Sequence, residues 1–447
     1  MPYSFLTFSA AVSILAQRLQ DPLQIYFNQP NQLLNCLIES VRLYQALTYS
    51  YKQPMSFTTT ANQNYYSLAS VAGSPLPYTV TDVEVINNVL AALLEPPLPS
   101  VGTWVGTGQF TFNQLQQSLQ NRLNRFIGES GRMTSQQYLS GITGGTELVT
   151  LPDAVLDVRR AAWVLPGSAP YTEYPLGRLD EWAEQAYAPG APQNPAQPVS
   201  FSVYGTAPLQ LRLVPPTSAN GQVDCIFVVA GPTVNLSVAS PVVLNIPDDV
   251  SAALKWGVLA DMLGMDGPSR DYARATYCEQ RYNEYVELAR MYPSMLTATI
   301  NGVTCGTGAV FDMDFYQPDW QQATGVPDFV GMCGRHLACI GQTPDDGTAG
   351  GNPGANYAVA MQVVANMPVS GSIQIGRDGL DPVIDYAQHI ASFQMGGAEF
   401  AGTERLYQNM ITAGKAQNGR LEAVSFYKSQ LEQPARKSEV ETVRMYQ

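Results

Sequence analysis

The stretch Asn245–Ala289, NIPDDVSAALKWGVLADMLGMDGPSRDYARATYCEQRYNEYVELA, decides the fold. Pro247 suits the first turn of a helix, where its missing N–H would have no partner anyway, and Asp248 and Asp249 favour the positive end of the helix dipole. The run VSAALKWGVLADMLG predicts a helix that stops at Gly264. A second long helix, from Ser269 to Met291, carries Tyr272, Tyr282, Tyr285, Val286 and Ala289 before Pro293 ends it. Together they predict a helical hairpin.

Upstream of the hairpin, Phe8, Ala11, Val12, Leu15, Ala16 and Leu19 recur at helical spacing until Asp21-Pro22. Leu34, Leu37, Ile38, Val41 and Tyr44 mark a second amphipathic helix, with Pro30 in its first turn. Thr81-x-x-Glu84 and Thr111-x-x-Gln114 each have the form of a capping box, with stops expected at Pro96-Pro97 and Gly128. Met55–Ser70, rich in Thr, Tyr and Phe, predicts a strand or hairpin. From Gly141 to about Asn245 the β-branched runs ELVTLP, LDVRRAAWVLP, VSFSVYG, LQLRLVPP and VDCIFVVAG predict strands, the last two as antiparallel neighbours, with a short helix in LGRLDEWAEQAY.

Downstream, residues 294–376 predict short strands and Gly-rich turns, including a loop from Thr343 to Asn356. Two helices follow, DPVIDYAQHIASFQMG and AEFAGTERLYQNMITAGKAQ, split at Gly396-Gly397. The expected fold class is α+β: a helical bundle with an inserted antiparallel β region, plus a C-terminal β-rich part and helices. Its expected parts are a helical region over 1–140, a β region over 141–245, the hairpin completing the bundle over 246–293, a β-rich region over 294–376, and helices with an extended arm over 377–447. The arm, QPARKSEVETVRMYQ, mixes both charge signs without a buried face, and Arg436, Lys437, Arg444, Met445 and Tyr446 are its candidate contacts on a neighbouring subunit.

A chain of 447 residues buries a large core without disulfides or metals. Charged residues are only 14%, against roughly 25% in ordinary soluble domains. Gln, Asn, Thr, Ser and Tyr cover the surface instead, which suits burial in an oligomer because buried charge must be paired. The net charge of −13 argues against capture of nucleic-acid phosphates. The six cysteines have no framework spacing and are expected to be mostly buried thiols. No signal peptide and no membrane span are expected, which fits assembly in a cytoplasm.

Catalytic patterns are poor. Of the two histidines, His389 lies in a helical pattern beside Tyr386 and Phe393 and is expected to be a packing or surface histidine rather than a catalyst. In Cys333-Gly-Arg-His336-Leu-Ala-Cys339, strand alternation would put His336 on the face opposite the two thiols, and a fourth zinc ligand is missing. Gly128-Glu-Ser130-Gly131 lacks the spacing of a nucleophile elbow, and Asp312-Met-Asp314 lacks the rest of a calcium loop. Gly306-Thr-Gly308 and Gly351-Asn-Pro-Gly354 lack the residues that follow a phosphate cradle. No catalytic residue, cofactor or metal is expected. The pairs Arg122/Arg125 and Arg159/Arg160 are expected in ion pairs between subunits rather than on nucleic acid.

Leu151-Pro152, Arg159-Arg160 with Trp163, Arg178-x-Asp180-x-Trp182 and Pro247-Asp248-Asp249, taken in this order of elements, resemble the adaptor or neck proteins of tailed bacteriophages over roughly residues 1–290. The resemblance implies a structural virion protein, not an enzyme, in a homo-oligomeric ring, usually dodecameric. Such a ring sits beneath the portal protein, joins it to tail or nozzle proteins and lets viral DNA pass. It would be assembled in the bacterial host and placed in the virion neck, with no membrane partner. Two other readings stand beside it. One is another tail or baseplate component. The other is a carbohydrate-active virion enzyme using Asp312, Asp314 or Asp319 beside Phe315, Tyr316 and Trp320.

Overall fold

The computed structural model describes residues 5–29, 31–48, 50–58, 65–67, 79–100, 102–131, 133–164, 173–180, 195–205, 208–267, 270–290, 295–296, 299–300, 303–304, 310–312, 337–344, 357–364 and 367–417. Nine α-helices are found among them: α1 (Phe8–Arg18), α2 (Gln32–Thr48), α3 (Asp82–Ala92), α4 (Phe112–Ser130), α5 (Ala252–Gly264), α6 (Tyr272–Ala289), α7 (Arg377–Ser392), α8 (Gly397–Gly402) and α9 (Glu404–Gln417). The strands are β1 (Lys52–Thr58), β2 (Tyr65–Ser67), β3 (Met133–Ile142), β4 (Leu148–Thr150), β5 (Val155–Val164), β6 (Glu173–Pro175), β7 (Gly177–Arg178), β8 (Ser200–Tyr204), β9 (Gln210–Val214) and β10 (Gly221–Val229). Further along come β11 (Met295–Leu296), β12 (Thr299–Ile300), β13 (Val303–Thr304), β14 (Val310–Asp312), β15 (Leu337–Pro344) and β16 (Tyr357–Val364). The fold class is α+β, as the sequence predicts.

The chain forms two compact units: 1–51, 88–97 and 366–447 in one, 52–87 and 98–365 in the other. The first is helical. Its α2 packs against α1, α7 and α9, and Leu33, Leu37, Val41 and Tyr44 of α2 are fully buried with Val383, Ile384, Tyr386 and Ile390 of α7. Helix α7 begins at Arg377, four residues ahead of the expected start, so Pro382 falls inside it as the sixth residue, where the missing N–H leaves the Asp378 carbonyl without its usual i+4 helix bond. The expected last helix breaks at Thr403 into α8 and α9. His389 is buried, with Nδ1 3.0 Å from Thr403 Oγ1 and its ring stacked on Phe400, so it is a packing residue.

In the second unit, α4 starts from a complete capping box between Thr111 and Gln114. It ends at Ser130 with Gly131 in the left-handed conformation, φ +59°, so the stop lies three residues beyond Gly128. Leu115, Leu119, Leu123 and Phe126 form its buried stripe. The hairpin expected from the opening stretch is α5 and α6, and α5 is buried almost all round. Gly257 lets it approach α4 and α6, since a Cβ there would lie 2.8 Å from Arg122 Cδ and 3.0 Å from Tyr282 Cδ2.

The β region is built from two sheets, ordered β11-β3-β10-β5-β6 and β4-β9-β8-β7. Period-two alternation turns Val223, Cys225 and Phe227 of β10, Ala161 and Trp163 of β5, Phe201 of β8 and Leu211 and Leu213 of β9 into one shared core. This corrects the expected pairing of LQLRLVPP with VDCIFVVAG: β9 pairs with β8 and β4, while β10 pairs with β3 and β5. Each strand has one apolar face, and burying both faces against each other requires opposite sheets rather than adjacent strands. Gly177–Arg178, in the segment expected to be a short helix, is a strand parallel to β8; 181–187 lies outside the described residues. The first strand begins at Met133, ahead of Gly141.

Farther along, β16 pairs antiparallel with both β1 and β15. Parts of the Thr343–Asn356 loop, His336, Cys333, Cys305, Asp314 and Asp319 lie outside the described residues, as does everything after Gln417.

Candidate assembly surface

The best-defined polar cluster lies where α4, α5 and α6 meet. Arg122, buried at its backbone end by Gly257 and the hairpin, gives Nε to Asp261 Oδ2 at 3.0 Å and a terminal nitrogen to Asp261 Oδ1 at 2.5 Å. Its other terminal nitrogen reaches Glu279 at 2.6 Å. Arg125, one turn on, bonds Glu279 and Glu129, each at 2.8 Å. Both guanidiniums lie over the Tyr282 ring, 5.0 Å from its centroid, and the Tyr282 hydroxyl donates to Glu129 at 3.2 Å.

Electrostatics follow from this packing. Burial works against the Arg122 charge, but the bonds and charges of Asp261 and Glu279 outweigh it and raise its pKa. Arg125 is held protonated chiefly by its bond to Glu129. Desolvation, reinforced by Glu129, pushes the Tyr282 hydroxyl well above the ordinary tyrosine range. These arginines were expected to pair across subunits. They pair within the chain, because carboxylates on α5 and α6 reach them once the hairpin packs on α4. Above them an open groove is lined by Gln114, Gln117 and Asn121 of α4 and by Gly264 and Met265 at the end of α5. Gln117 and Asn121 are exposed on it.

Two carboxylates tie distant segments together. Asp248 starts a single 3-10 turn ahead of α5, and its side chain accepts from Thr79 N at 2.9 Å, Thr79 Oγ1 at 2.7 Å and Val80 N at 3.2 Å. Asp248 and Asp249 stand in the first turn, as the sequence predicts, and the Asp248 side chain in addition clamps residues 79–80. Asp82, fully buried, accepts from the backbone N–H groups of Val83, Asn235, Leu236 and Val242. Apart from the Val83 N–H, neither partner set is readable locally, since the donors lie 153 to 169 positions away.

Arg159 is exposed and stands at a bulge of β5, where the register with β10 steps from Arg160 to Val158; Arg160 is half-buried. Arg178 grips Asp157 through two nitrogens at 2.9 and 3.0 Å. Trp163 is buried against Gly221, and Trp182 lies outside the described residues. So do the arm residues Arg436, Lys437, Arg444, Met445 and Tyr446. Cys225 and Cys278 are buried free thiols, and burial pushes both up. Among the described residues there is no cluster able to hold a metal and no helix long and apolar enough to cross a membrane.

The described residues combine a helical layer of α4, α5 and α6 with a two-sheet β part, and their best-defined polar cluster is a set of paired charges. Residues 79–302, half of the chain, match the family model described as SU10 adaptor protein, and the chain belongs to that family of phage adaptors. No curated protein matches it. The match leaves out α1 and α2, which the sequence resemblance had included; they fold in the same unit as the C-terminal helices. A structural adaptor role in the virion follows from the family.

Proposed function

We propose that the chain forms a closed homo-oligomeric ring, dodecameric as the resemblance implies, that meets the portal on one face and tail or nozzle proteins on the other and surrounds the DNA passage. The observation that carries this reading is the family match over 79–302, which covers the α4–α6 layer and the two sheets together. The low-charge exterior supports it, because a ring subunit presents two different surfaces to its neighbours. A net charge of −13 favours DNA sliding past rather than binding.

In this reading the protein performs no catalysis. Arg159 and Arg160 contact a neighbouring subunit, and the arm with Arg436, Lys437, Arg444, Met445 and Tyr446 orders on an adjoining chain. Assembly takes place in the host cytoplasm, ahead of incorporation at the neck. Electron microscopy and mass photometry of the purified full-length chain, alone and with portal rings, test the reading. Closed rings that cap the portal are expected; a chain that stays monomeric in both settings rules it out.

A further inference from the structure

We propose that the loop Pro22–Gln29 is an apolar knuckle that seats on a second copy of this chain; the proposal rests on the ring reading and names one contact within it. Three large side chains stand out of this loop, Leu23 at 79%, Ile25 at 64% and Tyr26 at 78% exposure. Clustered apolar exposure of this kind marks a contact surface.

The loop is built to hold them there. The Asp21 carboxylate, itself buried, accepts from the backbone N–H groups of Ile25 at 2.8 Å, Tyr26 at 2.9 Å and Phe27 at 3.1 Å. Phe27 is the buried anchor. Gln20 and Gln24 take φ of +57° and +52°, the left-handed region that non-glycine residues adopt at a cost. Gln29 donates to the Glu95 carbonyl at 2.9 Å, next to Leu94, which also has positive φ and is 63% exposed. The ordering entropy of the loop is spent before any partner arrives.

Charge selects the occupant. From Pro22 to Ile38 no residue is charged, in a chain of net charge −13. Two such copies repel at long range, so the surfaces that meet are those without charge, whereas a basic partner would be met by carboxylates. Size agrees. The exposed side chains cover a few hundred Å², below the ~800 Å² per partner of a standard interface. The knuckle is therefore too small to hold two free molecules, but in a closed ring every copy is held on two sides and small contacts act together.

The test compares wild type, a Leu23→Ser/Ile25→Ser/Tyr26→Ser triple variant and a control, Val105→Ser, at an exposed apolar position elsewhere. All are full-length, and ring content is read by mass photometry with thermal unfolding alongside. Wild type and control are expected to form rings, and the triple variant about tenfold fewer at the same concentration with an unchanged unfolding temperature. Should the triple variant prove unstable, a benzophenone photo-crosslinker at position 26 of the otherwise unchanged chain is expected to give chain-to-chain adducts. Wild-type ring levels in a folded triple variant, or rings without such adducts, overturn the knuckle contact and leave the ring standing. A wild-type chain that never forms rings overturns both.

Discussion

Arg122 holds Asp261 through two nitrogens, at 3.0 and 2.5 Å, and so joins α4 to the α5–α6 hairpin. The Arg122 side chain is 9% exposed and the Asp261 side chain 30%. Removing one partner of a largely buried pair leaves the other charge uncompensated. Asp261→Ala is expected to cost about 2–3 kcal/mol, below the roughly 3–5 kcal/mol of a fully buried pair, because Glu279 still holds Arg122 and Asp261 is partly exposed. Denaturant unfolding checks this, and a change within ~0.5 kcal/mol, typical of a surface substitution, would contradict it.

Asp82→Ala is expected to be more severe. Its carboxylate serves four backbone N–H groups, three of them in the 235–242 segment. Each buried donor left without a partner costs about 1–3 kcal/mol. A loss of at least ~3 kcal/mol, with enhanced proteolysis inside 234–243, is expected. Limited proteolysis followed by mass spectrometry locates the opening.

Gly221→Ala tests the close approach of β10 to β5. A Cβ at Gly221 would lie 2.3 and 2.5 Å from atoms of the buried Trp163 indole, which has no room to swing aside. A loss of about 1–3 kcal/mol and a changed Trp fluorescence spectrum are expected. Gly128→Ala, where nothing lies within 4 Å, is the control and should be neutral or slightly stabilising.

The knuckle carries a pH signature. Burial raises the Asp21 pKa, but the bonds from the Phe27, Ile25 and Tyr26 N–H groups outweigh it and hold the carboxyl below its ordinary 3.8. A carboxyl depressed in the folded state contributes stability that is present above its unfolded value and lost as pH falls through the folded one. The Ile25, Tyr26 and Phe27 amide shifts in NMR spectra should therefore stay constant from neutral pH down to about pH 5 and move only in stronger acid. Asp21→Asn should abolish that transition; its persistence would assign it to another group.

The elements whose signals lie within a few residues were legible in the sequence. Apolar spacing located α1, α2 and both hairpin helices, Thr111 and Gln114 marked the start of α4, and the setting of His389 narrowed it to a packing or surface residue, of which burial decided for packing. The errors lie where a short signal competed with a longer-range one. Gly128 stands on the exposed side of α4, where a glycine is tolerated, so the helix runs through it to Gly131.

Local spacing of apolar residues, caps and turn residues thus determined most of the helices and strands, though not Gly177–Arg178 or the start of β3, and the order of elements pointed to the phage adaptors. Tertiary structure alone decided which strands share a sheet, that β1 pairs with β16 some 300 positions away, and that Arg122 and Arg125 are satisfied within the chain. It alone also decided that Leu23, Ile25 and Tyr26 stay in solvent while Phe27 is buried. The physical reason is common to all of these. Helix formation is governed by bonds four residues apart, whereas sheet partners, ion pairs and exposure depend on which distant apolar faces bury one another, and many pairings satisfy the same local pattern.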